Sequence, residues 1–136
     1  MLKAASILSV LALAACTAGP PPPPEGVMAQ QQLNVLLAGK VAGRPTECIP
    51  TMQANSPSFI APGAIVFSPN PGRAYVSNVA GTGCEGLANP RYSLVSSSHG
   101  SSLCAGDVVQ VRDLQTGVMA GACSLGPFTP FTRPGA

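Results

Sequence analysis

The chain is 136 residues long, with a formal net charge of +2, 9% charged and 4% aromatic side chains, no tryptophan and one histidine. So weakly basic and aromatic-poor a surface has neither the phosphate-neutralising charge nor the stacking groups of a nucleic-acid binder, and no nucleic-acid partner is expected. The same poverty of aromatics argues against a polysaccharide-binding face.

The chain opens Met1-Leu2-Lys3, runs through mostly apolar residues from Ala4 to Ala15 and reaches Leu13-Ala14-Ala15-Cys16. One basic residue, an apolar run and small residues before a cut site have the form of an export signal over residues 1–15. The run is too short to cross the bilayer's ~30 Å of hydrocarbon, which takes about 20 residues. A leucine, two small residues and a cysteine resemble the lipobox of bacterial lipoproteins, whose cysteine is acylated and whose chain is cut just before it. The resemblance implies cleavage between Ala15 and Cys16, lipid on Cys16 and attachment to a membrane of the cell envelope. Thr17, not an aspartate, follows the cysteine. By resemblance to Gram-negative sorting signals, that implies the outer membrane, facing the periplasm. One acyl chain holds a protein only marginally and two hold it stably, so the two or three chains of such lipoproteins would anchor it permanently.

Residues 16–26 are expected to form the lipidated end and a spacer. Pro20 to Pro24 are consecutive prolines; with φ fixed and no N–H to donate they favour polyproline II. At about 3.1 Å per residue, such a run spans roughly 15 Å. Residues 27–39 predict a short amphipathic helix. Ala29, Leu33, Leu36 and Leu37 recur at helical spacing, while Gly39 and Lys40 suit the C-terminus. With Lys40 its only nearby charge, this helix is expected to pack on the domain rather than lie on a bilayer.

From residue 40 to 132 short apolar runs alternate with Gly, Pro, Asn and Ser, predicting an all-β domain, either a small antiparallel barrel or a sandwich. Candidate strands are Ala64–Ser68, Arg73–Val79, Tyr92–Ser97, Asp107–Asp113 and Val118–Ser124, with a shorter one around Cys48. Pro69-Asn70-Pro71-Gly72 would turn the first of these into the second, and Leu114-Gln115-Thr116-Gly117 the fourth into the fifth. Residues 133–136 are expected to be a disordered tail.

A domain this small buries little apolar surface, and small exported folds are often stapled by disulfides. Cys48, Cys84, Cys104 and Cys123 remain after Cys16, an even number that admits three pairings. The favoured pairing is Cys48–Cys123, joining the first and last strands to close a barrel, with Cys84–Cys104. A zinc site competes, but such sites usually bring ligands in close pairs, whereas these cysteines lie far apart. His99 has no obvious second ligand nearby. No metal or other cofactor is expected.

Cys48-Ile49, the strand ending at Phe67, Tyr75 with Asn78, and Cys84-Glu85-Gly86-Leu87 are followed by Leu103-Cys104-Ala105-Gly106-Asp107 and Gly121-Ala122-Cys123-Ser124-Leu125-Gly126-Pro127-Phe128. In this order and spacing, across residues 39–129, the chain resembles an uncharacterised family of small Gram-negative lipoproteins. The resemblance implies a shared architecture and no chemistry. Relatives usually carry basic residues between the first cysteine and the second strand. Here Thr51–Pro62 is nearly uncharged, which removes any basic ligand surface from that segment.

Gly81-Thr82-Gly83-Cys84-Glu85-Gly86 matches G-x-G-x-x-G after an expected strand. A dinucleotide site needs a helix to begin there, yet Pro90 follows within four residues and Cys84 is expected in a disulfide, so the segment is expected to be a loop. Ser96-Ser97-Ser98-His99-Gly100-Ser101-Ser102 puts the histidine among hydroxyls, with Asp107 as the one acid that could orient it. No nucleophile-elbow pattern accompanies it, and a polar loop does not hold triad geometry; a hairpin tip is expected. Glu25, Glu47, Glu85, Asp107 and Asp113 are too dispersed to suggest a carboxylate pair. Asp107 and Asp113 are expected to shape turns.

These observations predict a non-enzymatic, membrane-anchored periplasmic lipoprotein acting by contact with another envelope component. The alternative is a periplasmic inhibitor or small-ligand-binding module. Small β-barrel lipoproteins that inhibit lysozyme share that format, although their Ser/Gly-rich loop with a tyrosine and a lysine is not recognisable in Ser96–Ser102.

Overall fold

The computed structural model describes residues 25–60, 63–97 and 100–135. The expected signal segment, the cleavage site at Ala15 and Cys16, the spacer through Pro24, and His99 lie outside these residues. In chain order the elements are helix α1 (Glu25–Leu36) and strands β1 (Val41–Ala42), β2 (Cys48–Pro50), β3 (Pro57–Ile60), β4 (Ala64–Asn70), β5 (Arg73–Ala80), β6 (Tyr92–Ser96), β7 (Ser102–Cys104), β8 (Val108–Asp113) and β9 (Met119–Thr132). Short 3-10 turns occupy Thr51–Gln53 and Glu85–Ala88.

The main sheet has seven strands in the order β3-β4-β5-β9-β8-β6, with β1 added beside the end of β9, and every pairing is antiparallel. It curls into a half-barrel whose two edges are β3 and β6. The all-β, disulfide-stapled fold preceded by a short helix is therefore the one the sequence predicts.

Local chemistry places both expected turns. Pro71 and Gly72 join β4 to β5, and the Asn70 side-chain oxygen accepts the Gly72 N–H at 3.0 Å. Between β8 and β9, Asp113 Oδ1 accepts the backbone N–H of Gln115 at 2.7 Å and of Thr116 at 3.3 Å. Gly117 there takes φ +73°, a conformation open to glycine.

The last strand runs to Thr132, well past the expected Ser124. Its first part pairs with β8 and its second with β5. Pro127 and Pro130 argue against such a long strand in sequence. Pro130 is tolerated because its carbonyl, accepting the Gly43 N–H at 2.7 Å, faces the side that only two-residue β1 covers. Its missing N–H points the same way and costs no ladder bond to β5. The β9 edge bonding continues to Arg133, whose N–H donates to the Gly72 carbonyl at 2.9 Å.

Side chains on the concave face, including Ile65, Phe67, Val109, Val111, Leu125 and Phe128, form the main core. The small β2–β7 ladder covers that concavity, with Ile49 opposite Leu103 and both buried. A second cluster lies on the convex face, where Ala29, Leu33, Leu36 and Leu37 of the helix region pack on Ile60, Val66, Ala74, Val76 and Phe131. The helix thus packs on the domain. It ends at Leu36, earlier than expected, with Gly39 at φ +71° and Lys40 Nζ donating to the Leu36 carbonyl at 2.9 Å.

The disulfides are Cys48–Cys104 and Cys84–Cys123, not the Cys48–Cys123 and Cys84–Cys104 pairing favoured from sequence. The correction has a structural reason. Strand β7, unrecognised in the serine-rich stretch, pairs with β2 and sets Cys104 directly opposite Cys48, their Cα atoms 4.0 Å apart. Cys84 lies against β9 beside Cys123, with Cα atoms 5.7 Å apart. No disulfide ties the strand at Cys48 to β9; the segment just before β2 meets β9 through the bridge between Thr46 and Phe128.

Candidate functional site

The curled sheet leaves a seam between its two edge strands. Part of the seam is filled: the Glu85–Ala88 turn packs against both β3 and β6. The rest opens into a cavity of about 340 Å³. Its apolar walls are Ala54, Pro57, Phe67, Leu94 and Leu103, and its polar groups are Thr51, Asn55, Ser56 and Ser96. Among the described residues no charged side chain lines it.

The elements explain this composition. In β6, Leu94 and Ser96 stand opposite Val111 and Val109, so they share the inward face. Phe67 forms the floor from β4. Ser56, just before β3, has φ +49°, the one described non-glycine residue in the left-handed region. Such strain collects at functional and ligand-contacting positions. The Asn55 side-chain amide donates to the Met52 carbonyl at 2.7 Å, and its backbone carbonyl accepts the Ser68 N–H at 3.0 Å. Tyr75, through its hydroxyl, is bonded to the Gln53 side-chain carbonyl, which ties the adjacent 3-10 turn to the sheet.

The phase of the β6–β8 ladder decides where the backbone of β6 points. The Leu114 N–H donates to the Arg91 carbonyl at 2.9 Å, so Arg91/Leu114 is a hydrogen-bonded pair. Alternation then makes Ser93 and Val95 the residues bonded to β8. The N–H and C=O of Leu94 face away from β8, along the open edge. Among the described residues nothing bonds them.

The other sequence-noted groups have structural roles. In the G-x-G-x-x-G segment, a Cβ on Gly83 would overlap the backbone of Ala122, and one on Gly121 would overlap the Gly83 carbonyl. Glycine at 83 therefore lets the chain lie flat on β9 beside Cys84–Cys123. After Cys84 the chain forms a four-residue 3-10 turn, not an α-helix. Asp107 Oδ2 accepts the Cys104 N–H at 2.8 Å, fixing the turn at Gly106. Asp113 Oδ2 lies 2.6 Å from Arg91 Nη2 and accepts from Nε at 2.8 Å. This hydrogen bond, foremost, holds the Asp113 carboxyl below the usual carboxylate range, opposed by partial burial and aided by the Gln115 and Thr116 N–H groups; the same bond raises Arg91. Ser77, the wholly buried hydroxyl, donates to the Gly126 carbonyl at 2.9 Å and accepts its N–H at 3.1 Å, closing the bulge between β5 and β9.

Cys48, Cys84, Cys104 and Cys123 are all committed to disulfides, and among the described residues no three His, Cys, Asp or Glu side chains converge on a metal-sized site. Comparison with protein-family models, with curated proteins and with solved structures returns no match to this chain. The cavity residues carried little signal in sequence. The hydroxyls of Thr51, Ser56 and Ser96 read as loop chemistry, and only the curl of the sheet brings residues near 55 to residues near 95.

Proposed function

We propose that this chain is a lipid-anchored, non-enzymatic protein of the bacterial cell envelope, held through Cys16 in the outer membrane facing the periplasm, that binds another envelope component. The single observation that carries the reading is Leu13-Ala14-Ala15-Cys16 after a short apolar run. Two features of the domain support it. Two disulfides fit an oxidising compartment. Their pairing also leaves Cys16 as the one cysteine with no disulfide partner within the chain, as a residue reserved for acylation would be.

The test is metabolic labelling with an alkyne palmitate analogue, followed by membrane fractionation. The wild-type chain is expected to carry label in the outer-membrane fraction, and Cys16→Ser to be unlabelled and released. A wild-type chain without label would overturn the reading. The seam cavity favours a second reading, a periplasmic inhibitor or small-ligand-binding module, because mouths of small β-barrels are common ligand sites and its volume lies in the usual range.

A further inference from the structure

We propose that the seam is a strand-addition site: an extended, uncharged peptide segment of a partner protein pairs with the free edge of β6 at Leu94 and places a side chain in the adjoining cavity. The nature of the partner rests on the envelope reading above; the site itself does not.

Three observations converge on this edge. First, Leu94 presents both an N–H and a C=O outward, the pair of groups that an added strand satisfies. Second, among the described residues the edge lacks the usual protections. Natural sheets guard their edges with charged side chains, prolines or covering elements. The edge at β3 has Pro57 and the Glu85–Ala88 turn against it. Tyr92-Ser93-Leu94-Val95-Ser96 contains no charge and no proline, and the turn shields β6 only in part. Third, the cavity lies on the inward side of this same stretch, where an alternate side chain of an added strand would point.

The lining also selects the class of occupant. A charged group in the cavity would give up its hydration without meeting an opposite charge, so the entering side chain is neutral. Apolar walls with hydroxyls at Thr51 and Ser56 suit a small apolar or hydroxyl-bearing residue, such as valine or threonine. A short segment suffices, since only Leu94 to Ser96 of the edge border the cavity.

The experiment presents the full mature chain in detergent to a displayed library of random dodecapeptides. Enriched sequences are expected to be uncharged and rich in β-branched residues. Leu94→Pro removes the outward N–H without removing a bond to β8, because edge positions of this phase accept proline. It is expected to weaken the selected peptide about tenfold or more, the cost of one unmet hydrogen bond. Leu94→Ala keeps the N–H while trimming a side chain that lines the cavity and packs on the core, and is expected to weaken the peptide less than Leu94→Pro does. Equal binding by L94P and wild type overturns the proposal, as does a library that yields no sequence above the resin control. If L94P fails to fold, amide hydrogen exchange on the unaltered chain decides: the Leu94 amide slows when the selected peptide saturates, and an unchanged rate overturns the proposal. Binding in detergent does not require lipid on Cys16, so failure here and failure of the labelling test are separate results.

Discussion

The convex surface of the sheet has two halves that solve the same problem differently. Over β3, β4 and β5 the helix forms a second layer, and strand β4 is apolar on both faces: Ile65 and Phe67 point to the concave core while Val66 lies under α1. Over β6, β8 and the first part of β9 there is no such layer among the described residues. Strand β8 accordingly alternates, with Val109 and Val111 buried, and with Val108 and Arg112 exposed. The contrast shows that the pattern within a strand records whether its outer face is covered, not merely that it is a strand. It also raises the question of what holds the uncovered half.

Much of the answer is Cys84–Cys123, which fastens the segment before the Glu85–Ala88 turn to β9 inside the core. Replacing both cysteines with alanine is expected to give the largest effect. Chain-entropy theory puts the loss at about 4 kcal/mol for a loop of this length, comparable with the whole stability of a small domain. Urea unfolding would measure it, and a loss below about 1 kcal/mol would mean that the uncovered half is held by packing alone. Cys48–Cys104 lies on the more exposed small ladder, so mild reductant followed by alkylation and mass spectrometry should label that pair first.

The next effect sets one half against the other. Val66→Asp places a carboxylate among the apolar side chains beneath the helix, and should cost about 3 kcal/mol or more. Val108→Asp makes the same chemical change on the uncovered face, where Val108 is 55% exposed, and should stay within about 0.5 kcal/mol. Similar losses at both sites would show that the convex face is uniform and the distinction false. A smaller step is Leu33→Ala. Its half-buried side chain should cost about 1 kcal/mol, less than a full core truncation.

The covered half is the more legible in sequence. The apolar runs locate β4 and β5 to within about two residues at either end, and the helical recurrence of Ala29, Leu33, Leu36 and Leu37 announces a face that needs a partner. Both turns are readable because Asn70, Asp113, Gly72 and Gly117 carry turn chemistry locally. The pairing of the cysteines is not readable, since it depends on β7, three residues long and embedded among serines. Nor is the seam. The outward phase of Leu94 is fixed by its register with Val111, and the strain at Ser56 by the closure of the Thr51–Gln53 turn onto β4; both are long-range consequences of the curl.

The smallest expected effect concerns the ends of the uncovered half. Arg91 stands just before β6 and Asp113 closes β8, so their ion pair clamps the same end of two adjacent strands where no helix lies. The Asp113 carboxyl is depressed in the folded chain by Arg91 above all. A depressed acid contributes its stability in full above its unfolded value, about pH 4, and loses it as the pH falls through the lower folded value. Asp113→Asn keeps a side-chain oxygen for the Gln115 N–H but gives up the charge. The gap in stability between wild type and D113N should therefore be greatest near neutral pH and narrow steadily below about pH 4. With the Arg91 side chain 47% exposed, added salt should narrow it too. Denaturant titrations at neutral pH and near pH 3 measure the gap. If it stays constant, the clamp works through the Asp113 acceptor bonds to the turn, and the ion pair adds nothing to the half of the sheet that lacks a helix.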